Sequence, residues 1–161
     1  MLLTEESTFG KDLRYGFDLL AHRVIKVNGM YCVTSDFFRN AYKGGKLSNT
    51  IVYSETCEFL GVDGSEDNAM ADALLSGGAQ AVIGYVNNVY TINHLIMGQN
   101  VGQALEHAKA TYGEDDLIWY HAQGGRRPHA AASYAVLYGN SQAALHVPES
   151  NRSMFSADLA A

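Results

Sequence analysis

Cys57 is the residue of this sequence that is the clearest candidate for a chemical role. The run 50–53 (TIVY) predicts a β-strand, because its residues are β-branched or aromatic. Tyr53 ends this run, and Cys57 follows four residues later. In α/β folds, ligands and chemistry collect beyond the carboxyl ends of parallel strands. A thiolate at such an edge can attack a carbonyl carbon and form an acyl-enzyme that water releases. The competing interpretation is a buried, inert thiol, because cysteine is among the most buried residue types.

His22 is the candidate general base, because it is the only histidine that precedes Cys57 in the sequence. A thiol is mostly protonated at neutral pH and needs a nearby base or a positive field to become a nucleophile. The alternative is that His22 is a surface or capping residue. The sequence leaves both interpretations open.

Glu55 and Glu58 bracket the candidate nucleophile. Carboxylates next to a thiol raise its pKa, so they do not activate it. If Glu55 and Glu58 project into the site, we expect them to bind the substrate and to favour substrates with basic side chains. If they point to solvent, they are ordinary loop charges. The acidic character of the loop continues in Asp63, Glu66 and Asp67.

No metal or cofactor is predicted. Cys32 and Cys57 match neither a disulfide framework nor a zinc pattern, and Cys32 is expected in the core of an apolar strand. His121 and His129 flank the polar stretch AQGGRRP, but no acidic or thiol side chain has a matching spacing. The glycine-rich phosphate-loop patterns do not occur, which disfavours a flavodoxin-like binding domain.

Length and charge disfavour other classes of function. The chain has 161 residues, which suits one domain, and a net charge of −6 without a basic cluster beyond Arg126 and Arg127. A nucleic-acid partner is therefore not expected. No apolar run approaches the about 18 residues of a membrane-spanning helix, so no membrane contact is expected. The first residues, MLLTEESTFGKDLR, do not resemble a signal peptide, and localisation stays open because a longer precursor could have carried one.

Other patterns predict the elements that would position the site. The Asn28-Gly29 pair predicts a hairpin between strands 23–27 and 30–34, because both residues tolerate positive φ. Helices are expected at 36–42 after a cap at Ser35, from a cap at Ser65 or Asp67 to about Ser76, and at 101–112 after Asn100. Buried strands are expected at 79–86 and 134–139, the latter continuing at 143–147, while residues 1–20 show only weak periodicity. The succession of strand, helix and strand predicts an α/β fold with a mainly parallel sheet flanked by helices.

Four stretches in this order, NTIVYSETC, NAMADALLSGGAQAVIGYVNNV, NVGQALEHAKATYG and AVLYGNSQAAL, resemble the carboxyl half of the caspase-like cysteine peptidases. The resemblance is to the gingipain-like and CHAT-like branches and covers roughly residues 49–145. It implies that Cys57 is the nucleophile. It also implies a catalytic histidine in a His-Gly pair on an earlier strand, and no histidine of this chain is followed by glycine. Since MLLTEE is similar to the sequence that follows the His-Gly pair in that family, the resemblance implies that the amino-terminal strands are missing.

The sequence therefore predicts one caspase-like α/β domain at 1–147 and a loosely attached tail at 148–161. The expected function is the carboxyl-terminal part of a cysteine endopeptidase that acts on peptide or protein substrates. The alternative is a non-catalytic interaction module of the same fold. In both cases the strand 50–53 is expected at an open sheet edge, where the chain would self-associate or bind an amino-terminal partner segment.

Overall fold

The computed structural model describes residues 2–54, 59–62, 65–86, 99–112 and 134–146. The strands in chain order are β1 (Leu2–Glu6), β2 (Val24–Val27), β3 (Met30–Val33), β4 (Ile51–Tyr53), β5 (Gly61–Val62), β6 (Ser65–Glu66), β7 (Ala81–Val86) and β8 (Tyr134–Gly139). The helices are α1 (Phe9–Arg14), α2 (Gly16–Leu20), α3 (Ser35–Ala41), α4 (Ala69–Ser76) and α5 (Val101–Tyr112). This mixture confirms the α/β class, and the predicted tail at 148–161 lies outside the described residues.

The sheet that carries the predicted site has the order β4-β7-β8. β4 and β7 are parallel, with Ile51 opposite Ala81 and Tyr53 opposite Ile83. β7 and β8 are antiparallel over six residue pairs. The prediction of a mainly parallel sheet was therefore wrong: the sheet is mixed, because a continuously apolar strand such as β8 has the same pattern in either direction.

β7 is the centre of this sheet, and all six of its residues are buried. Because successive side chains of a strand point to opposite faces, Ile83 and Tyr85 join a cluster with α5, whereas Val82 joins a cluster with α4. The α5 cluster includes Val101 and Leu105. The sheet is thus covered by a helix on each face.

The smaller sheet has the order β1-β3-β2, with both pairs antiparallel. The predicted hairpin is confirmed: Asn28 and Gly29 connect β2 to β3 with φ of 50° and 79°. Sequence reasoning did not predict β1, α1 and α2, which occupy residues 2–20.

The helix caps test several predictions. The cap of α3 is Thr34 and not Ser35, and Ser65 lies in β6. The cap of α4 is Asn68, although Asp67 Oδ1 does accept from the Ala69 N–H at 3.0 Å.

The predicted cap of α5 is confirmed, because Asn100 Oδ1 accepts from the Gln103 N–H at 2.8 Å. The predicted continuation of β8 at 143–147 is wrong for its described part. Ala143 O accepts from Val101 N, and Ala144 forms an isolated bridge with Asn100, so this segment ties to the start of α5 instead.

Candidate functional site

The chain around the candidate nucleophile is fixed to β7 on both sides. The Ser54 N–H donates to Ile83 O at 3.0 Å, and the Leu60 N–H donates to Tyr85 O at 2.9 Å. Cys57 lies three residues along the chain from each of these donors. Cys57, Glu55 and Glu58 themselves lie outside the described residues, so their predicted roles stay predictions.

Gly84 allows the chain that follows Cys57 to pack back against β7. Leu60 is fully buried and Phe59 nearly so, and both contact the face of β7 that α4 covers. A Cβ at position 84 would lie 2.5 Å from Phe59 Cδ1 and 2.8 Å from Leu60 Cγ, closer than carbon atoms approach one another. The absent side chain of Gly84 therefore provides the space into which residues 59 and 60 pack.

The acidic loop after Cys57 is partly held by hydrogen bonds. β5 and β6 form a two-stranded hairpin, and the Asp67 N–H donates to Leu60 O at 2.8 Å. The Tyr138 hydroxyl of β8 donates to Glu66 Oε2 at 2.8 Å. At least one carboxylate of the predicted acidic loop is thus tied to the sheet and is not simply a solvated charge.

A pair of tyrosines, which sequence reasoning missed, lies on the α5 side of the same sheet. The hydroxyls of Tyr53 and Tyr85 are 3.3 Å apart, and their rings meet edge to face with centroids 6.5 Å apart. Tyr85 is fully buried and Tyr53 is half-buried. Both lie near the carboxyl ends of their parallel strands. The only sequence signal was a tyrosine near the end of each predicted strand.

His22 lies in the turn between α2 and β2 with its side chain exposed. Its φ is 55°, in the left-handed region. Its carbonyl oxygen accepts from Thr34 Oγ1 at 3.0 Å, and its N–H donates to Leu19 O at 3.2 Å. These contacts join the backbone of His22 to the residue that follows β3 and to α2, so His22 contributes to the turn through its backbone.

An open surface depression of about 430 Å³ is lined by residues on both sides of His22 in the chain. Its lining consists of Ala21, Arg23, Asp36, Arg39, Asn40 and Lys43. Arg23 pairs with Asp18, and Arg39 pairs with Asp36, so two of its three cations are already neutralised. With Lys43 as the remaining cation, this lining does not suit a basic substrate side chain, so the predicted preference for such substrates rests on Glu55 and Glu58 alone.

The remaining predicted residues divide into two groups. Cys32 is fully buried in β3, as predicted, and His107 is exposed on α5. His121 and His129 lie outside the described residues. Within the described ranges, no group of three or more His, Cys, Asp or Glu side chains comes close enough together to hold a metal ion.

No protein-family model matches the chain, and no curated protein or solved structure matches it either. Of the helices in the described ranges, none is both long and apolar enough to cross a membrane.

Proposed function

We propose that the chain is the carboxyl-terminal part of a caspase-like cysteine endopeptidase in which Cys57 is the nucleophile. The observation that supports this proposal is the pair of hydrogen bonds that joins Ser54 and Leu60 to β7. The bonds go to Ile83 and Tyr85, the third and fifth of the six residues of β7. Three residues of chain span at most about 11 Å, so Cys57 stays within that reach of both anchors.

This edge is suited to a nucleophile because its supports are rigid. Ser54 and Leu60 both bond to a fully buried strand, and sites built on packed elements hold their side chains more accurately than free loops do. Ser54 continues the parallel ladder beyond β4, so the chain leaves the sheet at the edge where α/β folds carry chemistry.

The base of the proposed enzyme lies in a segment other than the described sheet β4-β7-β8. His22 remains the candidate within the chain, although its backbone is committed to the smaller sheet. Without a base, a thiol nucleophile loses several powers of ten in rate. The chain by itself should therefore react as a thiol but turn over peptides at no appreciable rate.

The test is a peptide with Arg at its cleavage position that carries an electrophilic ketone, with mass spectrometry to map the modified residue. We expect modification at Cys57 whose rate saturates with reagent concentration, because the peptide binds before the thiol reacts, and none in a Cys57→Ala variant. A rate at Cys57 that rises linearly with concentration, as for a thiol that does not bind the peptide, would overturn the proposal. Peptide turnover by the chain that survives Cys57→Ala would overturn it as well.

A second candidate function is a non-catalytic interaction module, and the edge position of β4 favours it. In the described part of the chain β4 pairs with β7 alone. Ser54 bonds to β7 and neighbouring residues of a strand point in opposite directions, so the amide of Ile51 points away from the sheet. Such an edge can accept a strand from an amino-terminal partner segment.

Amide hydrogen exchange tests whether a partner segment binds at the edge of β4. In the chain alone, the amide of Ile51 should exchange rapidly, while the amides of Val52 and Ser54 should be protected by β7. Addition of the partner segment should protect Ile51 selectively. If the Ile51 amide remains unprotected in a complex with that segment, the edge is not the binding surface.

A further inference from the structure

α1 and α2 form an almost continuous helix from Phe9 to Leu20. Tyr15 separates them, but the Tyr15 N–H donates to Lys11 O at 2.9 Å and the Leu19 N–H donates to Tyr15 O at 2.8 Å. These are the four-residue contacts of an α-helix, so the side-chain periodicity runs through the junction.

The face of this helix that contacts the smaller sheet is polar and aromatic. Tyr15 meets Tyr31 edge to face with ring centroids 5.1 Å apart, and its hydroxyl donates to Glu5 Oε1 at 2.6 Å. Asp12 accepts from Tyr31 and from Lys26. The helix is therefore held to the sheet by hydrogen bonds and ring contacts, and neither α1 nor α2 contains a buried residue.

The opposite face carries four large apolar side chains, here called the outer stripe. The exposed fractions are 81% for Phe9, 73% for Leu13, 86% for Phe17 and 81% for Leu20. Spacings of four, four and three residues place them on one side of a helix, one above the other. Single exposed apolar residues are ordinary, but a contiguous set of this size marks an interaction surface.

We propose that the outer stripe binds the outer stripe of a second copy of this chain. The area supports a pair of copies. Side chains of this size that are mostly exposed offer on the order of 600 Å² in one copy, and the two stripes together about 1,200 Å². That total is at the lower limit of specific protein interfaces, which indicates a dimer of modest affinity.

Charge also favours a second copy as the occupant. Residues 1–27 contain four acidic and four basic side chains, so this segment has no net charge, and the whole net charge of −6 lies in the remainder. Three of the four cations are paired within the segment: Lys11 with Glu5, Arg23 with Asp18, and Lys26 with Asp12. Two acidic chains that meet through their neutral segment avoid the repulsion that other surfaces would bring.

The surroundings of the stripe leave room for a second helix. A Cβ at Gly10 or at Gly16 would meet no atom within 4 Å. Glycines beside an exposed apolar stripe let another helix approach closely, although glycine lowers helix stability by roughly 0.5–1 kcal/mol.

Sedimentation velocity from about 1 to about 100 µM tests the proposal, because a modest interface corresponds to a dissociation constant in this range. We expect a concentration-dependent dimer. Phe17→Glu should weaken it at least about 10-fold, since it adds a charge to the centre of the interface. Leu13→Lys should weaken it as well, and it tests the same surface with the opposite charge. Asn40→Glu, which changes the charge on exposed α3, should leave the dimer unchanged.

Because the stripe is exposed in the single chain, these variants should keep the far-ultraviolet circular dichroism of the original protein. A monomer at every concentration would overturn the proposal. So would a dimer that both stripe variants preserve, particularly one that protects the amide of Ile51, because it would form through the edge of β4.

Discussion

The hydroxyl of Tyr31 donates a hydrogen bond to Asp12 Oδ1 at 2.5 Å and thereby joins α1 to the middle strand of the smaller sheet. Tyr31 is 1% exposed, and Lys26 Nζ lies 2.5 Å from the same carboxylate oxygen. The hydrogen bond from Lys26, followed by that from Tyr31, lowers the pKa of Asp12 from its ordinary value. Burial, followed by the bond to Asp12, raises the pKa of Tyr31 to about 12.

Asp12 should make the stability of the chain depend on pH on the acid side. Because folding lowers the pKa of Asp12, its contribution is present above the unfolded pKa and is lost as pH falls through the folded pKa. Asp12→Asn should therefore lower the urea midpoint at neutral pH and differ less from the original protein near about pH 3.

Glu6→Gln is the control for this experiment, because Glu6 is exposed on the neighbouring strand β1. It should change the midpoint little at neutral pH. An Asp12→Asn variant that shows the same loss at both pH values would mean that the hydrogen-bond network, and not the charge of Asp12, stabilises the contact.

Gly84 should tolerate no side chain. A Cβ there would collide with Phe59 and Leu60, both of which are nearly or fully buried. Gly84→Ala should therefore lower the free energy of unfolding by about 1–3 kcal/mol, the usual cost of overpacking a core. It should also increase the exchange rate of the Leu60 amide, which bonds to Tyr85.

Gly10→Ala, measured at a concentration below that of the proposed dimer, is the matched control, because a Cβ at Gly10 would meet open space in the single chain. It should leave stability unchanged or raise it by up to about 1 kcal/mol. Equal stabilities of the Gly84→Ala and Gly10→Ala variants in urea unfolding would show that residues 59 and 60 do not pack against β7.

Several elements could be predicted from the sequence because their signals are local. The Asn28-Gly29 turn requires positive φ at both positions, and it sets the hairpin between β2 and β3. Asn100 caps α5 through a bond to an amide only three residues away. In both cases, neighbouring residues contain all the chemistry that decides the structure.

The failed predictions depend on contacts between distant residues. The direction of β8 is set by its pairing with β7, and the apolar run along the strand does not reveal it. One failure is of another kind: the helix from Phe9 to Leu20 was missed although its apolar residues recur at helical intervals of four, four and three. The packing of Leu60 into the space beside Gly84 joins residues 24 positions apart, and no sequence pattern predicts it.

His22 should be replaceable by residues that accept its backbone geometry. Its φ of 55° suits glycine and, less readily, histidine, whereas a β-branched residue is strained there. His22→Gly should keep the stability of the original protein, and His22→Val should lower it by about 1–2 kcal/mol in urea unfolding. A peptide-cleaving activity that His22→Gly abolishes without loss of stability would instead identify His22 as the base.

The two thiols should differ in reactivity. Cys32 is 0% exposed in β3, where β1 and β2 pair on either side of it. An alkylating reagent can reach such a thiol only when the sheet opens, so labelling of Cys32 should be slow in the native protein and fast in urea. Cys57 follows the polar residues 54–56 beyond the end of β4, and we expect it to be accessible.

Iodoacetamide labelling followed by peptide mass spectrometry measures both rates in one sample. Cys57 should be labelled at least about 100-fold faster than Cys32 under native conditions, because labelling of Cys32 requires an opening that costs several kcal/mol. In urea the labelling rates of Cys32 and Cys57 should converge. Convergence would show that burial of Cys32, and not unequal recovery of the two peptides, causes the difference in the native protein. Preferential native labelling of Cys32 would contradict the accessible position of Cys57, and with it the proposal that Cys57 is a nucleophile at the edge of the sheet.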